Sequence, residues 1–153
     1  MGVFDWVKQK GTDMSNELKK YTNKDFMESI AAACAVVALA DGTVSSEEKQ
    51  KMVGFINVNE NLKVFKVNDI IERFNSYVQQ FEFDFNVGKI AAFKAIEKQK
   101  SNIDNARMLI AVCISIASSD GDFDSAEVNI ISEICTRLGV NPSEFNLSPT
   151  KKI

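Results

Sequence analysis

Six carboxylates, Asp41, Glu48, Asp120, Asp122, Asp124 and Glu127, fall in two short stretches that share a pattern. The first reads Ala40-Asp41-Gly42-Thr43-Val44-Ser45-Ser46-Glu47-Glu48, and the second reads Ser119-Asp120-Gly121-Asp122-Phe123-Asp124-Ser125-Ala126-Glu127. Oxygen donors at this density suit a hard divalent cation, Ca²⁺ or Mg²⁺. Asp120, Asp122 and Asp124 have the alternating spacing that opens an EF-hand loop. Ser125 stands where that loop needs Gly, however, and Ile131 where it needs its closing Glu, so the loop is of another kind. The first stretch carries Thr43 and Ser45 in place of two aspartates and should hold a cation more weakly on its own.

Capping explains part of the pattern without any ligand. Ser45 with Glu48, and Asp124 with Glu127, have the spacing of capping boxes, each cap worth ~1 kcal/mol. Asp41 and Asp120 are harder to explain in that way. Each follows an apolar, alanine-rich run that reads as a helix, and a helix C-terminus disfavours an anion by roughly 0.3–1 kcal/mol. A bound cation would offset that cost. If the two stretches are brought side by side, their acids converge on one site.

The elements that position these turns repeat with them. Asp41 and Asp120 lie 79 residues apart, and at that offset Cys34 falls on Cys113, Val37 on Ile116, Ala38 on Ala117, Met52 on Ile131 and Phe55 on Ile134. Apolar positions that match on both sides of a turn predict a duplicated helix–turn–helix unit. Two copies are too few for a solenoid, so a single all-α domain with a pseudo-twofold is expected.

Composition narrows the function. The chain has 153 residues, 45% hydrophobic and 25% charged, enough for one domain with a sizeable core. A net charge of −3 speaks against a general nucleic-acid binder. There is no histidine, which excludes the common triad and zinc-hydrolase designs. No glycine-rich phosphate loop is present, so a metal-dependent hydrolase or transferase ranks last. Cys34, Cys113 and Cys135 form no C-x-x-C pair and fall on expected core faces, which fits a reducing, cytoplasmic compartment and inert thiols. No secretory signal precedes them, and the apolar stretch from Ile30 to Ala40 is too short to span a bilayer.

Residues 1–24 read as a leader, a helix either docked or mobile, with apolar positions Val3, Phe4, Val7, Leu18 and Tyr21. Phe4 and Trp6 could anchor a peripheral membrane contact, but Asp5, Asp13, Glu17 and Asp25 nearly cancel the neighbouring lysines. Residues 25–147 form the helical domain, and 148–153 a frayed tail. The run 25–40 is so alanine-rich that it is expected at the centre, closely surrounded. Asn68 is expected to cap a helix. Leu62 to Val67 reads as a tucked connector, and Phe81-Glu82-Phe83-Asp84-Phe85 as a turn whose aromatics plug the core. Asn141-Pro142 opens a last helical turn. About seven helices result.

The chain resembles the TerB family of tellurite resistance proteins. The likeness runs through Lys24-Asp25-Phe26-Met27-Glu28, the block from Ala40 to Met52, Leu62-Lys63-Val64-Phe65, Phe81-Glu82-Phe83-Asp84, and Ser119 to Asp124, and the long first block is its most specific part. The resemblance implies an all-helical, cytoplasmic, non-enzymatic stress-response protein. It implies action with other Ter proteins, including the membrane protein TerC, and acidic turn residues that ligate a metal. The expected role is a divalent-cation-responsive adaptor. The alternative is thiol-mediated binding or reduction of tellurite.

Overall fold

A computed structural model describes residues 24–40, 46–118 and 125–147, apart from the side chains of Glu48, Glu60 and Asn61. Within these residues the chain forms six α-helices and no strand. Helix α1 (Lys24–Ala38) is the axis of the molecule. From Ser29 to Leu39 every residue is buried, and Ala31, Ala32, Ala33 and Ala35 are wholly so. A helix apolar on every side must be covered on every side, and alanine's small side chain lets neighbouring backbones come close.

The neighbours follow in chain order. Helix α2 (Ser46–Val58) leads into a 3₁₀ turn (Glu60–Val64), which buries Leu62 as the tucked connector. Helix α3 (Val67–Phe83) and helix α4 (Phe85–Ile96) form a corner against α1. A 3₁₀ turn (Glu97–Ser101) carries the chain to helix α5 (Ile103–Ala117), which also packs on α1. Helix α6 (Ser125–Arg137) and a 3₁₀ turn (Pro142–Phe145) complete the described chain. Helices α1 and α5 touch each other, α1 touches α6, and α5 touches α2. Each repeat thus packs across the other, as a duplicated pair should. Four of the five pairs matched at the 79-residue offset share their environment: Cys34 and Cys113, Val37 and Ile116, Ala38 and Ala117, and Met52 and Ile131 are all buried, whereas Phe55 is half-buried where Ile134 is buried.

Helix boundaries have identifiable causes. The Asn102 side chain accepts from the amides of Asp104 and Asn105 and caps α5. Gly139, at φ 76, ends α6 in a Schellman pattern: Val140 N–H donates to the Cys135 carbonyl at 2.9 Å and Gly139 N–H to that of Thr136 at 3.1 Å. Asn141 caps the turn that Pro142 opens, accepting from the Ser143 amide at 3.0 Å. Arg107 on α5 pins that turn through two bonds to Glu144.

Three sequence expectations need correction. The about seven helices become six among the described residues, where the last helical turn is a four-residue 3₁₀ segment; the leader, the tail and the capping residues Ser45 and Asp124 lie outside the described residues. Asn68 caps nothing; Lys66 precedes the helix, with no side-chain cap, and α3 starts at Val67, which packs on the core. The five residues 81–85 are not a turn plugging the core. Phe81 is buried and Phe85 half-buried, but Phe83 ends α3 with 84% of its surface exposed.

Gly88 supplies the reason. Asp84 caps α4, accepting from the Val87 amide, so Phe83 stands before the cap and Gly88 at the fourth helical position, where an apolar side chain would normally hold it. A Cβ at Gly88 would lie 2.5 Å from the Phe81 backbone, and that space is needed for the corner itself. Phe83 has nothing to pack on.

A buried polar chain fastens α1 to the elements around it. The Ser29 hydroxyl lies 2.8 Å from the Ala95 carbonyl and accepts from Gln99 Nε2 at 3.0 Å, while Asn105 donates to Gln99 Oε1 at 3.3 Å. On another side, Glu28 accepts from Arg73 and from the Tyr77 hydroxyl, tying α1 to α3. Burial, then the bond to Glu28, raises the Tyr77 pKa.

The two helical glycines make opposite predictions. Gly88→Ala should destabilise the fold by about 1–3 kcal/mol, because backbone must shift to admit the methyl group. Gly54 lies within α2, and a Cβ there meets open space. Gly54→Ala should therefore stabilise by roughly 0.5–1 kcal/mol. Urea titrations of both variants check the pair.

Candidate functional site

The acidic stretches are inter-helix connections, as their sequence pattern implies. The first joins α1 to α2 and the second joins α5 to α6. Asp41, Asp120, Asp122 and Asp124 lie outside the described residues, as does the Glu48 side chain. The frame on either side of them is described. At the first connection, the end of α1 is held by Leu39 N–H on the Ala35 carbonyl and Ala40 N–H on that of Val37, each at 3.2 Å, with Leu39 buried. Ser46 and Glu47 begin α2 exposed to solvent.

At the second connection, Ser118 closes α5. Both its amide and its hydroxyl donate to the Ile114 carbonyl, at 3.0 and 2.7 Å. Glu127 follows in the first turn of α6, half-buried, where the helix dipole favours a carboxylate. Of the six candidate ligands, it alone has a side chain among the described residues. Those residues hold no group of three or more acidic or thiol side chains disposed to bind a metal ion.

One contact at the second connection carries no signal in the sequence. Asn59, just past the end of α2, donates to the Ser115 hydroxyl on the last turn of α5 at 3.2 Å. The exit of α2 thus lies against the helix turn that leads to Asp120. Its entry, which follows Asp41 to Ser45, lies a whole 13-residue helix away, about 20 Å along the axis. The polar run 57–61 reads locally as an ordinary loop, and nothing in it announces a partner more than fifty positions on.

The donor chemistry fits a hard cation. All six candidate ligands are carboxylates, histidine is absent, and the thiols lie elsewhere in the core. Cys34, Cys113 and Cys135 are all buried and unpaired in disulfides. Burial pushes the Cys34 and Cys135 thiols up to about 12, and raises that of Cys113 well above the ordinary thiol value with help from the two neighbouring sulfurs. Only a thiolate is an effective nucleophile, so these groups are poorly suited to reaction at neutral pH.

An all-α protein built from two cross-packed helix pairs, each joined by an acidic connection, is the class that these features define. The profile of the family described as "Tellurite resistance protein TerB" matches residues 27–148. A curated relative from Alcaligenes sp, "Tellurium resistance protein TerB", is 41% identical over 118 residues, covering 74% of this chain and 97% of its own. The chain belongs to the TerB family of tellurite resistance proteins. No solved structure matches it. Among the described residues no helix is long and apolar enough to cross a membrane.

The thiols predict a pH dependence with a definite sign. Their pKa values are raised in the folded chain, so their contribution to stability is complete below the unfolded thiol value of about 8.5 and is lost as pH rises toward the folded value. Unfolding free energy should fall above about pH 8.5, by up to about 1.4 kcal/mol per pH unit for each thiol. Replacing all three cysteines with alanine should flatten that limb, as measured by urea titration from pH 7 to about pH 10.

Proposed function

We propose that this protein is a non-enzymatic component of tellurite resistance, a divalent-cation-responsive adaptor acting with other Ter proteins, TerC among them, at the cytoplasmic face of the membrane. The supporting observation is the cross-packed duplication. Two helix pairs hold two acidic connections on one rigid frame, and membership of the TerB family supplies the physiological setting. Asp120, Asp122, Asp124 and Glu127 make the stronger cation site. Asp41 and Glu48 make a weaker one at the first connection, because the length of α2 separates the two. Ca²⁺ or Mg²⁺ is the fitting ion, because hard cations take oxygen ligands. Its charge would neutralise the acids at the C-terminal ends of α1 and α5 and stiffen the connections. The helix surfaces beside them then present a partner-binding face in the loaded state.

Thiol chemistry on tellurite is the weaker reading. It needs accessible thiolates, and all three sulfurs are buried in the core.

Calorimetry and growth separate these readings. Asp120→Asn combined with Asp122→Asn should abolish calorimetric Ca²⁺ or Mg²⁺ binding and lower tellurite tolerance in cells, while thermal unfolding of the apo protein stays unchanged or rises. A folded cysteine-free variant should keep its tolerance. Retention of both binding and tolerance by the double Asn variant would overturn the adaptor reading.

A further inference from the structure

Phe83, Val87 and Ile90 are 84%, 46% and 70% exposed, and they are three of the five large exposed hydrophobics among the described residues. Single exposed apolar side chains are ordinary, but three within eight positions at one corner make a patch. Phe83 stands at the junction of α3 and α4. Val87 and Ile90 follow on successive turns of α4, three residues apart, and so share a face. Lys94 continues that face one turn beyond Ile90, and Lys98 lies one turn further.

The charges at the two ends of this stripe have opposite sign. Glu82 and Asp84 flank Phe83. Lys94, Lys98 and Lys100 occupy the far end, joined by a single acid, Glu97. These groups keep exposure despite their local contacts. Glu82 reaches Lys49 at 3.2 Å, and Lys98 reaches Asp25 only at 3.9 Å. Lys94 makes no ion pair among the described residues and is exposed. Lys89, the other cation of α4, points elsewhere, to Glu133 and over the Phe93 ring.

An acid–apolar–base stripe is complementary to itself when reversed. A twofold axis through Ile90 sets two α4 helices antiparallel and places Glu82 and Asp84 of each opposite the lysines of the other. It also sets Ile90 against Ile90, and Phe83 beside the aliphatic stem and ammonium of Lys94 in the second copy. We propose that the outward face of α4 is a homodimer interface and that its occupant is a second copy of this chain in this antiparallel arrangement. With three apolar side chains at its centre the contact is small, so the dimer is weak. Its charged ends make it sensitive to salt.

Sedimentation velocity on the full chain tests this, from micromolar to millimolar concentration at low and high salt. The wild type should show reversible dimerisation that salt weakens. Ile90→Asp should weaken association by about tenfold or more, as expected for a central apolar contact. Lys94→Glu should weaken it at low salt and have little effect at high salt. Both positions are exposed, so circular dichroism melts should match the wild type. A wild type that stays monomeric at millimolar concentration overturns the proposal, even if the stripe proves to bind another protein. A dimer indifferent to Ile90→Asp overturns it equally.

Discussion

Burial of α1 on all sides is the constraint on which the rest of the structure depends. A helix with no solvent face from Ser29 onward needs partners around its whole circumference there, and α3, α4, α5 and α6 contact it, with α2 touching it too. That arrangement works because Ala31, Ala32, Ala33 and Ala35 keep the helix thin. Close packing then sets orientation through a few polar bonds at its N-terminal half, Ser29 to Gln99 and Glu28 to Arg73 and Tyr77. Among the described residues each buried side-chain nitrogen and oxygen has a partner, so these bonds fix the register of α1 without an unpaired side-chain donor in the core.

The second helix of the duplicated pair, α5, is held in the same way. Its N-terminus is capped by Asn102 and joined through Asn105 to the Ser29–Gln99 chain. The two repeats therefore share one polar anchor near their N-terminal ends, while their C-terminal ends carry the acidic connections. Capped, hydrogen-bonded starts and acidic ends suit the proposed ion-responsive role, in which occupancy would alter the connections and the packed helices would carry that change to the surface. The same economy explains the cysteines. Cys34 and Cys113 fill matched core positions and Cys135 another as small hydrophobes, and burial makes their ionised form expensive.

Much of this was legible in the sequence, for physical reasons. A repeat at fixed offset and an alanine-rich helical run depend on local pattern, and both predict the cross-packed pairs and the central helix. The start of the last turn at Asn141-Pro142 is equally local. Failures came where a distant contact decided the outcome. Phe83 alternates with Phe81 and Phe85 as if all three were buried, but the close approach of Gly88 to Phe81 removes the surface on which Phe83 would have packed. Asn68 is a good capping residue, yet α3 begins one position before it, with Val67 packed on the core. The six acids are candidates by type and spacing alone; Glu127, in the first turn of α6, is the one whose side chain is described. The bond from Asn59 to Ser115, which sets α2 against the approach to the second acidic connection, joins residues that no local pattern relates.

The most direct test of the central claim is a ¹⁵N-HSQC titration of the chelator-stripped protein with Ca²⁺ and then Mg²⁺. Binding by the acidic connections predicts saturable shifts centred on the amides of residues 120–127, with smaller shifts at 41–48 and little change along α3 and α4. The absence of any saturable shift at millimolar ion, or shifts confined to other surfaces, would contradict it and leave the acids as helix caps and solvated charge.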